Sequence, residues 1–278
     1  MTSGATAQLG LMVGRLLRRG LAGTLSLLAG IAVFQFINTL IADSLGGAGG
    51  VQSLIETLPA SLQAIARIQP ELIGLSGLAG YLSLGFTHPL YLVLLSSATV
   101  GFTARSLAGE IDRGTIALAL ARPISRRTAY LARVVGLVVL SLALAIAGTA
   151  GLGLGVAVSR PAGEFEPWHL AALTAVAILL SWAIGGLTLW CSAASSTAGR
   201  VVAWATAALV VFYFVDYFAE LWSVLEPVAP VSLLAYFDPG HALVNGAVRP
   251  ADAAVLALAG LVGVIAGAIV FERRDLAV

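Results

Sequence analysis

Six apolar runs, each close to the length of a bilayer crossing, alternate with shorter polar stretches along the chain. They cover residues 21–41, 86–104, 134–158, 170–191, 201–221 and 251–271. A hydrocarbon core of about 30 Å takes roughly 20 helical residues. Backbone in lipid must also satisfy its own hydrogen bonds, which favours helices. The pattern predicts an all-α, polytopic membrane protein with six transmembrane helices in one domain, residues 1–278. The second run could start earlier, near Tyr81, with Pro89 as a kink.

The intervening stretches have patterns of their own. In residues 1–20, Leu9, Met12, Val13, Leu16 and Leu17 fall on one side of a helix, and Arg15, Arg18 and Arg19 on another. That is the pattern of an amphipathic helix in the membrane interface. Residues 42–80 place Leu54, Ile55, Leu58, Leu62, Ile65 and Ile68 at helical spacing, a second amphipathic candidate on the outer surface. Residues 222–250 are apolar but interrupted by Pro227, Pro230 and Pro239, so they cannot cross as one straight helix. A short re-entrant or interfacial hairpin packed against protein is expected there.

Composition supports this picture. The chain is 59% apolar and 10% charged, against about 25% charged for a soluble domain. Its mean hydropathy is +0.97. The formal charge of +1 matters less than where the charges lie. All fifteen cationic side chains are arginine, and with an amino terminus inside, only Arg67, Arg160 and Arg249 fall outside. That bias sets both termini in the cytoplasm. The single Cys191 excludes an internal disulfide and acts as a small apolar residue. No signal-peptide cleavage site is evident after the first arginines.

Residues 105–133, between the second and third spans, hold six of the fifteen arginines. Glu110 follows the span by about one turn, and Asp112-Arg113-Gly114 is a turn signal. Thr115 can cap a short helix over residues 116–121 that displays Ile116, Leu118 and Leu120. Arg122-Pro123 ends it, and Ser125 can cap the next helix through Arg126 and Arg133. Such a helix suits a groove in a soluble partner, with Glu110 and Arg113 as orienting ion pairs. The plainer reading is a loop pinned to headgroups by its arginines.

Polar residues in or near the spans are few. Asp216 and Glu220 share a helix face near the outer end of the fifth span, beside Tyr213, Tyr217 and Trp222. They are candidates for a substrate path or gate, against a simpler place in an aromatic belt. His88 is a third path candidate, although a lone histidine is more often a satisfied polar residue. Gln35 and Asn38 could hydrogen-bond across helices. No metal-ligand cluster is present. Gly263-x-x-x-Gly267 marks a close-packing face, in a bundle or a dimer.

Three motifs carry a family resemblance. They are Glu110-x-x-x-Gly-Thr…Arg-Pro-x-Ser-Arg126, Pro230-x-x-Leu-Leu-Ala-Tyr-Phe-Asp-Pro-Gly240 and Phe271-Glu-Arg-Arg-Asp-Leu276. Together they resemble type-2 ABC exporter permeases over nearly the whole chain. A basic residue, usually lysine, often follows the serine-arginine pair in that family; Arg133 stands for it here. The resemblance implies a permease dimer that binds two cytoplasmic ATPase subunits. It makes residues 105–133 the coupling loop, with Glu110, Gly114, Thr115, Pro123, Ser125 and Arg126 carrying coupling. It places ATP and Mg in the partner ATPase and no cofactor in this chain. A Gly-x-x-x-x-Gly-Lys loop cannot exist in a chain without lysine. The remaining expectations are a multi-pass protein of a prokaryotic cell membrane, lipid contacts, no nucleic acid, and a hydrophobic or amphipathic cargo. Alternatives are an ATPase-coupled complex that transports nothing and, less favoured, a stand-alone secondary transporter, which would need midplane ionisable sites. An intramembrane enzyme lacks a nucleophile–base pair.

Overall fold

A computed structural model describes residues 2–47, 49–50, 53, 57, 70–115 and 125–274, with the backbone alone at 2–7, 70–76 and 220. It is all-helical over the described residues. The main helices are α1 (Thr2–Arg18), α2 (Leu21–Ser44), α3 (Pro70–Thr87), α4 (Pro89–Ser106), α5 (Ala108–Asp112) and α6 (Arg126–Ser159). They continue with α7 (Leu170–Ala194), α8 (Ala198–Leu221), α9 (Pro239–Asn245) and α10 (Pro250–Arg273). Five are long and apolar enough to cross a membrane; residues 77–87 of α3 and α4, bent by 48°, make a sixth if taken as one broken span.

The bend falls at Pro89, where proline cannot continue the helix hydrogen bonds. His88 caps the new helix, its Nδ1 accepting from Leu90 N at 3.2 Å. Helix α3 begins at Pro70, inside the stretch read as outer loop, and breaks at Gly77, whose φ of 55° is open to glycine. Beyond the break Leu78, Leu82 and Phe86 enter the core. The amphipathic pattern at Leu54, Ile55, Leu58, Leu62, Ile65 and Ile68 lies outside the described residues.

Helices meet where side chains are small. A Cβ on Gly151 of α6 would lie 2.2 Å from the Ala32 carbonyl oxygen of α2, and one on Gly155 would lie 2.6 Å from Thr39. On the other side of the bundle α7 crosses α10 backbone to backbone: a Cβ on Gly186 would meet the Gly260 carbonyl oxygen at 2.3 Å. Gly263 faces Gly186, and Gly267 gives way to Tyr130 and Trp190. The Gly263-x-x-x-Gly267 face is thus spent inside the protomer, where close approach gains dispersion contacts that lipid cannot replace.

Hydroxyls add cross-links. Ser141 Oγ donates to Ser181 Oγ at 3.0 Å, and Ser181 Oγ lies 3.0 Å from Thr99 Oγ1, joining α6, α7 and α4. Gln35 and Asn38 do not make the expected cross-helix bonds among the described residues. They press against Gly85 of α3, where a Cβ would come within 2.4 Å of Gln35 Oε1.

At the end of the bundle away from residues 105–133, the proline-broken stretch forms two 3-10 turns, Glu226–Val231 and Leu233–Tyr236, followed by α9. Leu233, Leu234, Phe237 and Leu243 are buried in the main core. Ser232 Oγ donates to Phe212 O at 3.0 Å, and His169 Nδ1 lies 2.8 Å from Leu243 O. From Ser232 to Leu243 the stretch is packed against protein, as expected, whereas Glu226–Val231 buries no residue, and Val224 and Val231 are exposed.

Candidate functional site

The chemistry-bearing residues gather at the opposite end, where α4 gives way to the arginine-rich loop. Helix α4 ends at Leu107 (φ −128°, ψ −67°), and α5 restarts at once on a new axis. That break would strand backbone groups in an apolar setting. Ser192 of α7 closes it. Its Oγ donates to Thr103 O at 3.0 Å and accepts from Ala108 N at 3.0 Å. Replacing Ser192 with alanine leaves the buried Ala108 N–H unpaired, at an expected cost of about 1–3 kcal/mol. A fall in the detergent melting temperature, with threonine restoring most of it, checks this.

Glu110 sits on α5, 7% exposed, and points inward. Its Oε2 accepts from Arg133 Nη2 at 2.5 Å, and its Oε1 from Arg19 Nη1. The Arg133 side chain, on α6, is 2% exposed. Its other donors are also used: Nε to Ser106 O at 2.6 Å and Nη1 to Ala129 O at 2.5 Å. One carboxylate therefore ties the start of the loop to α6, to the last turn of α4 and to the α1–α2 junction. A buried guanidinium is tolerable only with such full pairing. Around the ions, Leu107, Tyr130, Leu189, Ala193 and Phe271 form a small buried cluster from α4, α6, α7 and α10. Tyr130 Oη donates to Val264 O at 2.9 Å.

A second set of arginines ties down helix ends. Arg274 Nη1 donates to Ala193 O at 2.9 Å and Ser195 O at 2.7 Å, at the carboxyl end of α7. Arg126 Nη1 donates to Arg274 O at 2.8 Å, and Arg127 Nε pairs with Glu272 at 2.7 Å. Cations belong at helix carboxyl ends, where carbonyls and the helix dipole are negative. The geometry joins two stretches distant in sequence, Arg126 of the loop and Glu272–Arg274 of the carboxyl terminus. Ser125 caps α6 as its sequence predicts, its Oγ accepting from Thr128 N at 3.1 Å.

The other sequence candidates separate. Gly114 takes φ +66° in the turn after α5, and Thr115 Oγ1 donates back to Glu110 O at 3.3 Å. Arg113 is exposed, whereas Glu110 is consumed inside the chain, so Glu110 is not the partner-facing ion expected of it. Ile116, Leu118, Leu120 and Pro123, with the helix they were expected to form, lie outside the described residues. At the far end Asp216 is half-buried on α8 among stacked rings, with Phe218 and Trp222 5.1 Å apart. The Glu220 side chain is outside the description. His88 is engaged as a helix cap beside Phe34, 5.2 Å between centroids.

Sequence reasoning missed Arg19, Ser192, Tyr130 and Arg274 as members of the junction. Their signal was faint: a polar or aromatic residue within a turn of an apolar helix end.

Residues 26–276 match the family described as ABC-2 family transporter protein. The match spans most of the chain, and the protein belongs to that family. It is a multi-pass membrane permease component, of the kind that works with ATPase subunits. No curated protein matches the sequence.

Proposed function

We propose that this chain is the membrane-spanning subunit of an ATP-driven exporter in a prokaryotic cell membrane. Two copies act with two cytoplasmic ATPase chains, which bind ATP and Mg. Residues 105–133 form the coupling loop, and the cargo is hydrophobic or amphipathic. The observation that carries this reading is the Glu110 junction. A push on the loop where it leaves Gly114 reaches Glu110 within one turn. Through Arg133 and Arg19 it reaches α6, α4 and the α1–α2 corner together. A closely packed bundle transmits such a shift as a rigid-body movement. The arginine bias places this end in the cytoplasm, where a soluble ATPase can reach it. The scarcity of charge within the spans disfavours a small ion as cargo.

The test is co-expression with the ATPase encoded beside this chain and purification through a tag on the permease. Leu118→Asp with Leu120→Asp puts charge on the two leucines that the loop's sequence offers to a partner. The expected result is equimolar ATPase on the wild type and none on the variant, with the permease itself still monodisperse. Full ATPase retention by the variant would remove the loop from the docking role. Absence of any ATPase from the wild type, with uptake driven by an ion gradient, would sink the exporter reading.

A further inference from the structure

The loop end holds positive charge that no ion pair neutralises among the described residues. A cleft of about 370 Å³ between the α1–α2 corner and α4–α5 is lined by Leu16, Gly20 and Phe102 and by the guanidinium-bearing Arg19, Arg105 and Arg113. Its one carboxylate, Glu110, is already shared between Arg133 and Arg19. Arg105 and Arg113 have no ion pair or side-chain hydrogen bond among the described residues.

Arg105 is also oddly placed. It ends α4, and helical side chains point towards their own amino terminus. Here that direction leads back into the membrane. The guanidinium lies over Gly101, one turn earlier, where a Cβ would come within 2.9 Å of Nη1, and faces Gly20, where a Cβ would be 3.9 Å from Nη2. An exposed arginine at the cytoplasmic end of a span would normally extend towards water. This one folds back along α4 over Gly101 with no anion beside it among the described residues, and an unpaired charge next to an apolar helix surface is costly.

Beyond it begins an apolar groove of about 460 Å³ between α4 and α8, which Arg105 also lines. The groove runs from Gly101 and Val202 past Ser97 and Leu209 to Pro89 and Phe214. From 105 to 89 along α4 is about 24 Å, the reach of an acyl chain with its glycerol. A cationic cleft thus opens directly onto a chain-length apolar groove, and one arginine belongs to both.

We propose that this composite is a binding site for an anionic phospholipid of the cytoplasmic leaflet, its phosphate held by Arg105 with Arg19 and Arg113, and one acyl chain in the α4–α8 groove. The phosphate supplies the anion Arg105 lacks, through charge-assisted hydrogen bonds. The site is a property of the permease alone and holds whether or not the loop docks an ATPase.

The test uses the full chain purified in detergent, with bound lipid counted by native mass spectrometry and thermal shift as a second readout. The probes are phosphatidylglycerol, phosphatidylcholine with the same chains, and inorganic phosphate. Phosphatidylglycerol is expected to bind one copy per chain and raise the melting temperature, with phosphatidylcholine at least about tenfold weaker. Arg105→Gln loses most of this preference, whereas Arg200→Gln, another exposed arginine at the same end, keeps it. Ser97→Trp fills the exposed groove and loses binding with Arg105 intact, so the proposal stays testable if Arg105→Gln folds poorly. Equal binding of both lipids would overturn the arginine site. An equal shift with inorganic phosphate would overturn the acyl-chain half and leave an anion site. Binding seen only in monomers, with dimers empty, would give the groove to a second copy and overturn the lipid.

Discussion

Glu110→Gln is expected to destabilise the permease more than Arg133→Met, although both break the same ion pair. The glutamine variant leaves Arg133, its side chain 2% exposed, with carbonyl partners and no anion, and strips Arg19 of its partner too. An uncompensated buried charge costs about 3–5 kcal/mol. The methionine variant leaves Glu110 paired with the half-exposed Arg19, so its cost falls below that range. Combining the two removes the stranded guanidinium, and the double variant is expected to be more stable than Glu110→Gln alone. Thermal unfolding of all four proteins in one detergent measures the ranking. If Glu110→Gln melts within a degree of wild type, the ion pair does not organise the junction, and its place in coupling falls with it.

The same residues show how far the sequence could be read. Apolar runs of bilayer length leave the backbone no choice but helix, so the spans were legible from hydropathy. Local punctuation was legible as well: Pro89 bends the second span, and Ser125 caps α6. Partners across the fold were not. Nothing in the order of residues tells that α5 turns Glu110 inward against Arg133, twenty-three positions away. The approach of Arg19 to Glu110 and the reach of Arg274 to α7 depend on how three or four helices converge. Arg105 read as one more topology-setting arginine, because its inward fold over Gly101 appears only once α4 has a three-dimensional neighbourhood. Gln35 and Asn38 were read from their donors and acceptors, but the neighbour that decided their fate was the bare surface of Gly85.

Gly263→Leu is expected to prevent stable folding of the bundle, and to do so within the protomer. A Cβ at this position would lie 2.4–2.5 Å from backbone atoms of Gly186 and Leu187. The obstacle is main chain, which cannot rotate aside as a side chain can, so α10 and α7 must separate. Overpacking in a core costs about 1–3 kcal/mol where side chains can yield, and more is expected here. The loss would spread, because α10 also presents Gly260 to Trp182 and Gly267 to Tyr130, and Tyr130 belongs to the junction beside Glu110. Gly23→Ala on α2 is the matched control: a Cβ there meets nothing within 4 Å. It is expected to be neutral or to gain roughly 0.5–1 kcal/mol from higher helix propensity. Size-exclusion chromatography of detergent extracts separates the two explanations of the glycine face. If the face packs α7 against α10, Gly263→Leu gives aggregated or degraded chain and Gly23→Ala gives a wild-type peak. If it were instead a dimer contact, Gly263→Leu would yield a well-folded monomer of unchanged melting temperature. That outcome would require α10 to sit against a second copy and not against Gly186 of its own chain.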